Sequence, residues 1–144
     1  MTSSSPLPPP ASPSPTARVE RIVPLLHVRS VAASVAWYVG VLGFREHWHE
    51  PGVMASVVRD DGELMLSEGV QGAHDAWVWI GVDDARRAHA ACVERGATVR
   101  MPLTNLRWAL EFQVQDHDGH VLRVGSAPLA EVPFGTVLDD GGTR

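Results

Sequence analysis

Residues 28–44, VRSVAASVAWYVGVLGF, decide how this chain is read, because their pattern returns in weaker form at 82–98 as VDDARRAHAACVERGAT. In the first copy Ser30 can cap a helix on which Val31, Val35, Tyr38 and Leu42 recur at i, i+4, i+7 and i+11, a single apolar stripe. Gly43 then ends the helix, since glycine enters the left-handed conformation of a helix stop without steric cost. In the second copy Asp83 or Asp84 supplies the cap and Gly96 the stop. The flanking sequence repeats as well: VVRDDGELMLSEG at 57–69 returns as QVQDHDGHVLRVG at 113–125. The offset stays between 53 and 57 residues, so the chain holds two copies of one unit that differ only by small loop changes.

Working outward from the helices, RIVPLLHV (21–28) is a first strand. Further strands are expected at about 44–50, 53–59 and 63–68, with Pro51-Gly52 and Asp61-Gly62 as turns. The second unit opens on AWVWIGV (76–82). It continues after its helix with strands at about 98–102, 109–115 and 120–125, the last two joined by the Asp118-Gly119 turn. Each unit is therefore βαβββ, with the two copies at 21–69 and 76–126. The fold class is α+β: eight strands in a curled, cavity-enclosing mixed sheet with the helices on its outer face. One domain over 19–126 is flanked by a Pro/Ser-rich arm, residues 1–18, too poor in large apolar groups to order itself. Residues 127–144, with Pro128, Pro133 and Gly141-Gly142, are expected to pack loosely.

The totals exclude several classes. A formal charge of −5, from 12 Arg and Lys against 17 Asp and Glu, disfavours nucleic acid and suits a cationic small molecule. No apolar run reaches membrane-spanning length and the arm has no signal-peptide core, so a cytoplasmic protein without membrane contact is expected. Cys92 is the only cysteine, which rules out an intrachain disulfide and a multi-cysteine metal site; it reads as a small packing residue on the second helix.

At this point the chain resembles the glyoxalase/bleomycin-resistance/dioxygenase (vicinal oxygen chelate) superfamily, and within it the bleomycin-resistance proteins. The resemblance rests on WYVGVLGF (37–44), VVRDD (57–61), AWVW (76–79) and EFQVQDHDGH (111–120), and it spans about 21–126. In metal-dependent branches four ligands come from equivalent strand positions, which map here to Val23, Leu66, Trp77 and Arg123. Two aliphatics, an indole and a permanent cation do not ligate, so neither a metal nor any other cofactor is expected. The chain departs from the resistance proteins at 106–112, where Leu-Arg-Trp-Ala-Leu-Glu-Phe displaces the usual Trp by one residue. It departs again at His117, which replaces the proline of a turn taken to lie at the surface.

Strand alternation puts Trp77 and Trp79 on one face, where they either fill the core or wall a cavity for a planar ligand. Trp108 sits in a loop, where a large ring is unusual unless it packs or binds. Trp48 and Phe112 join these as ligand-binding candidates. His27 shares the face of Val23 and points toward the same cavity, as a ligand contact or a structural imidazole. Arg123 needs a carboxylate such as Glu111, solvent, or an anionic group. His47 and His49 lack the spacing of a metal motif, and His117 and His120 are expected in solvent beside their turn. Asp60, Asp61, Glu63 and Glu68 cluster near one hairpin, as a solvated turn or, in a dimer, as a rim that attracts a cation. No nucleophile–base arrangement is legible, so no catalytic residue is named.

The function expected is metal-independent sequestration of a bulky aromatic or cationic, bleomycin-like small molecule by a homodimer. Two other readings stay open: a glyoxalase-like enzyme with a rearranged or lost metal site and His27 or Glu111 as general base, and a small-molecule sensor or accessory subunit.

Overall fold

The computed structural model describes residues 16–138; residues 1–15 of the arm and 139–144 of the tail lie outside it. The order is β1 (Leu25–His27), α1 (Val31–Leu42), β2 (Arg45–Glu50), β3 (Met54–Arg59), β4 (Gly62–Ser67), β5 (Trp77–Gly81), α2 (Ala85–Glu94), β6 (Thr98–Asn105), β7 (Leu110–Gln115), β8 (Val121–Ser126) and β9 (Thr136–Val137). The two βαβββ units form two mixed sheets, β1-β4-β3-β2 and β5-β8-β7-β6-β9. Each unit's first strand runs parallel to its fourth, and the remaining pairs are antiparallel. The strands thus form two separate sheets, not closed into a barrel, where one curled sheet was expected, with β1 and β5 as edge strands of their ladders.

Both helices start and stop where local chemistry requires. Ser30 Oγ accepts the Ala33 N–H and an Asp84 carboxylate oxygen accepts the Arg87 N–H, each at 3.1 Å. Gly43 ends α1 at φ 75°. Glu68 belongs to this architecture and not to a solvated hairpin: its carboxylate takes the Val31 N–H at 2.8 Å, at the positive end of α1.

The core joins the units through α1. Tyr38 is fully buried, and its hydroxyl donates to Asp116 Oδ2 at 2.7 Å, in the turn between β7 and β8. Burial and the neighbouring Asp116 push that phenol well above its usual range. The 116–120 turn, expected at the surface, is a clasp between units. The other oxygen of Asp116 takes the N–H groups of Asp118 and His120, while Arg29 donates from its backbone N–H and Nε to Asp118 Oδ1. His120, expected in solvent, is 1% exposed. Its Nδ1 accepts the Ala76 N–H at 3.0 Å, so its Nε2 donates to the His27 carbonyl at 2.7 Å.

The tail is also pinned. The Asn105 side chain donates to the carbonyls of Leu129 and Val132 and accepts the Leu129 N–H, and β9 then pairs with the outer edge of β6. Among the described residues no helix is long and apolar enough to cross a membrane.

Candidate functional site

The five-stranded sheet has one face against α2 and one open face. On β7 the alternation E-F-Q-V splits cleanly. Phe112 and Val114 are fully buried on the helix side, Phe112 meeting His89 of α2 edge-on at 5.0 Å. Phe112, expected at the ligand, is therefore a core residue, and its neighbours Glu111 and Gln113 face the other way. The signal was present in the strict polar–apolar alternation of that strand.

The open face carries three tryptophans held in place by polar neighbours. Trp77 and Trp79 on β5 are 55% and 47% exposed, and Trp108, in the loop before β7, is 63% exposed. Glu111 is 1% exposed at the centre of the array. Arg123 of β8 reaches it through Nε at 2.8 Å and Nη2 at 3.0 Å, the paired geometry that suits guanidinium and carboxylate. Gln113 Nε2 donates to Glu111 at 3.0 Å and the Trp108 indole N–H at 3.1 Å. The Arg123 guanidinium lies 5.2 Å from the Trp79 ring centre. One carboxylate thus fixes two rings, Trp108 directly and Trp79 through Arg123. Burial raises the Glu111 pKa, but hydrogen bonds from Arg123, Gln113 and Trp108 outweigh that, and the carboxyl ends below its usual range.

Trp79 lies flat because the sheet beneath it has no side chain. A Cβ at Gly125 would sit 2.5 Å from the Trp79 ring, and one at Gly81 would sit 3.2 Å from its indole nitrogen. Trp77 is covered by Arg100 of β6, whose guanidinium carbon lies 4.8 Å above the ring centre while its Nη1 donates to Gln113 Oε1 at 2.7 Å. Arg100, Gln113 and Gly125 were not singled out from sequence; Arg100 occupies a bulge that a regular strand does not anticipate.

The remaining candidates lie elsewhere. Trp48 is on edge strand β2 of the other sheet, opposite Ser56 and 37% exposed. His27 stacks on His74 at 4.2 Å in a polar cleft of about 420 Å³ at the clasp, with Arg29, Asp75, His117 and Asp118. A larger cleft of about 660 Å³ opens between the β3–β4 hairpin and β5, with Trp79 on one wall and Asp60, Asp61 and Asp83 around it. Glu63 in that hairpin is not simply solvated. It takes the Ser56 hydroxyl and pairs with Arg21 at 3.3 Å and His47 at 3.5 Å, which together hold its carboxyl below the usual range.

The positions mapped to the family's metal need one correction. Four residues separate the paired Val58 and Glu63, whereas five separate the equivalent pair Gln115 and Val121, so the register after the turn slips by one. Arg123 therefore corresponds to Met65, not to Leu66, which is fully buried on the helix side. Opposite these residues stand Trp79 and Leu25. Leucine, methionine, tryptophan and arginine do not fit an oxygen-chelated divalent metal any better than the residues first assigned.

Comparison with known proteins places the fold. Residues 18–124 match the model of the Glyoxalase/Bleomycin resistance protein/Dioxygenase superfamily, and the chain belongs to that superfamily. No curated protein matches it by sequence. Among solved structures it is similar to TioX from Micromonospora sp. ML1, at 21% identity and TM-score 0.68, over 76% of this chain and 99% of that one. It is also similar to the bleomycin-binding protein from bleomycin-producing Streptomyces verticillus complexed with copper(II)-bleomycin, at 24% and 0.66, over 78% and 99%. A third is TnmS3, an antibiotic binding protein from Streptomyces sp. CB03234, at 22% and 0.62, over 77% and 99%.

Proposed function

We propose that this member of the glyoxalase/bleomycin-resistance/dioxygenase superfamily is a metal-independent binding protein that sequesters a bulky aromatic small molecule, an antibiotic of the bleomycin kind or another with flat rings. The observation that carries this reading is the set of half-exposed rings of Trp77, Trp79 and Trp108 on one sheet face, each held by a named polar partner. Rings fixed before the ligand arrives lose little freedom on binding, so more of the stacking energy reaches the affinity. The likeness in fold to a bleomycin-binding and an antibiotic-binding protein supports the same class. The acidic cleft beside Trp79 and the overall charge favour a ligand with a cationic portion there. In this proposal two copies pair in the cytoplasm, and the groove between their open faces holds the ligand.

Catalysis by the candidate bases draws no support from the geometry. A general base works best with a pKa near the working pH. Glu111 is held low and spends both oxygens on four donors, and His27 is in the other cleft. The test is a thermal-shift and calorimetric screen of bleomycin-type glycopeptides and planar antibiotics, followed by mass spectrometry of the recovered ligand. One intact ligand per chain, with a raised melting temperature, is the expected result. Turnover of the ligand, or a requirement for added metal, would overturn sequestration.

A further inference from the structure

The two ends of the aromatic row carry opposite charge. At the Trp79 end Arg123 is neutralised by Glu111, and the adjoining cleft is acidic. At the Trp77 end stands Arg100, on an exposed stretch of β6. One end of its fork is spent on the neutral Gln113 amide, and among the described residues no carboxylate pairs with it. We propose that Arg100 and Trp77 form an anionic subsite, which takes a carboxylate or comparable planar oxyanion borne on an aromatic ring. This rests on the reading of the open face as a ligand-binding surface and deepens it.

The chemistry follows from the guanidinium. It is flat, weakly hydrated and always charged, and it stacks on aromatic faces while its edge donors bind oxyanions in its plane. Stacking on Trp77 and the bond to Gln113 already fix the orientation of Arg100, so its Nε and Nη2 donors have a defined direction and no partner among the described residues. A ligand ring laid over the guanidinium continues the stack that Trp77 begins, and an oxyanion on that ring meets the donors edge-on. The net charge of −5 conceals this site: the acidic cleft lies at the other end of the row, and Glu111 at its centre is paired with Arg123.

The experiment uses three probes with one ring system: 2-naphthoate, 2-naphthamide and 2-naphthylmethylammonium. Each is titrated into the full chain and into Arg100→Gln, following the tryptophan indole N–H resonances by NMR, with Trp77→Phe used to assign the Trp77 signal. At low ionic strength naphthoate should bind about tenfold tighter than the ammonium probe, as one added charge-assisted hydrogen bond implies. Arg100→Gln removes both a stacking surface and a charge, so it should weaken all three probes but naphthoate about tenfold more than naphthamide, abolishing the preference. Salt should narrow that preference in the native chain. Equal shifts of Trp77 by all three probes, or a preference that survives in Arg100→Gln, overturns the anionic subsite but leaves the aromatic wall standing. If no probe moves Trp77 or Trp79 up to its solubility limit, the wall itself falls, and the subsite with it. If Arg100→Gln weakens self-association and leaves probe discrimination intact, Arg100 serves the contact between copies and the proposal is wrong.

Discussion

The two units share one fold and spend their side chains differently. Helix α1 buries Val31, Ser34, Val35, Trp37, Tyr38 and Leu42, whereas α2 buries only Ala85 and Cys92. On the sheets the asymmetry reverses. The N-terminal unit offers one exposed ring, Trp48, for which no polar partner is seen among the described residues, while the C-terminal unit displays three rings organised around Glu111 and Arg123. Duplication made two surfaces available, and one copy now holds the molecule together while the other presents a face. A unit that contributes its helix and its half of the clasp can leave its twin free to place polar and half-exposed groups on an open sheet.

The largest effect that tests this division is in α1. Tyr38→Ala removes a fully buried ring that also bonds Asp116 across the units. A loss of about 3–5 kcal/mol is expected, as for other buried aromatic truncations. Tyr38→Phe, which deletes only the hydroxyl, should cost about 1–3 kcal/mol by leaving Asp116 short of a partner. Urea denaturation read by both fluorescence and circular dichroism checks both variants. A Tyr38→Ala cost below that of an ordinary surface change would mean that α1 does not join the units.

The next effect falls on binding and not on folding. Trp108→Ala should weaken an authenticated aromatic ligand by about 5- to 150-fold, the value of one to three kcal/mol of ring stacking. Its melting temperature should change little, because the ring is 63% exposed. Trp48→Ala should cost less than about threefold in affinity, since that ring is not held in advance of binding. Calorimetric titration of both variants decides the matter. Equal losses would show that the two faces contribute alike, and the contrast between units would then be confined to their helices.

A third test is electrostatic. The Glu111 carboxyl is held below its ordinary range, so the ionised form is favoured in the folded state. Its stabilisation is complete above the unfolded glutamate pKa of about 4.3 and is lost as pH falls through the lower folded value. Glu111→Gln should remove that acid-dependent component and cost about 1–3 kcal/mol at neutral pH, because Arg123 loses a charged partner. Stability measured from pH 7 down to pH 3 should therefore fall less steeply in the variant. Parallel curves would show that the ion pair does not organise the face.

Much of this was legible from the chain. The repeat, the caps at Ser30 and at Asp83 or Asp84, and the pairing of Trp77 with Trp79 follow from local sequence pattern and periodicities of 3.6 and 2, which sequence records directly; the structure selects Asp84 for the second cap. What escaped depends on contacts across sequence distance. The register beyond the hairpins could not be read by aligning Asp61-Gly62 with Asp118-Gly119, because turn length and not turn composition sets pairing, and one residue of slip exchanged Leu66 for Met65. His120 looked like a turn residue until the His27 carbonyl and the Ala76 N–H were seen on either side of it. The Trp79 ring resting over Gly125 joins strands 46 residues apart, a contact that no local pattern carries.

The smallest expected effect gives the comparison its control. Aligned by their caps, Tyr38 of α1 corresponds to Cys92 of α2, 54 residues later, so the duplicated position holds a large ring in one unit and a thiol in the other. Both are buried, but Cys92 is a small packing residue whose thiol burial pushes to a higher pKa, with Arg59 and Arg95 only partly opposing it. Cys92→Ala removes one sulfur and should cost about 1 kcal/mol or less, several-fold below Tyr38→Ala. The native thiol should also react slowly with a soluble disulfide reagent, because burial limits both its access and its thiolate fraction. Urea melts of Cys92→Ala and the rate of thiol labelling measure the two consequences separately. A Cys92→Ala penalty matching that of Tyr38→Ala would mean that α2 supports the core as fully as α1, and the open face of the C-terminal sheet would then need an explanation other than a division of labour between the two copies.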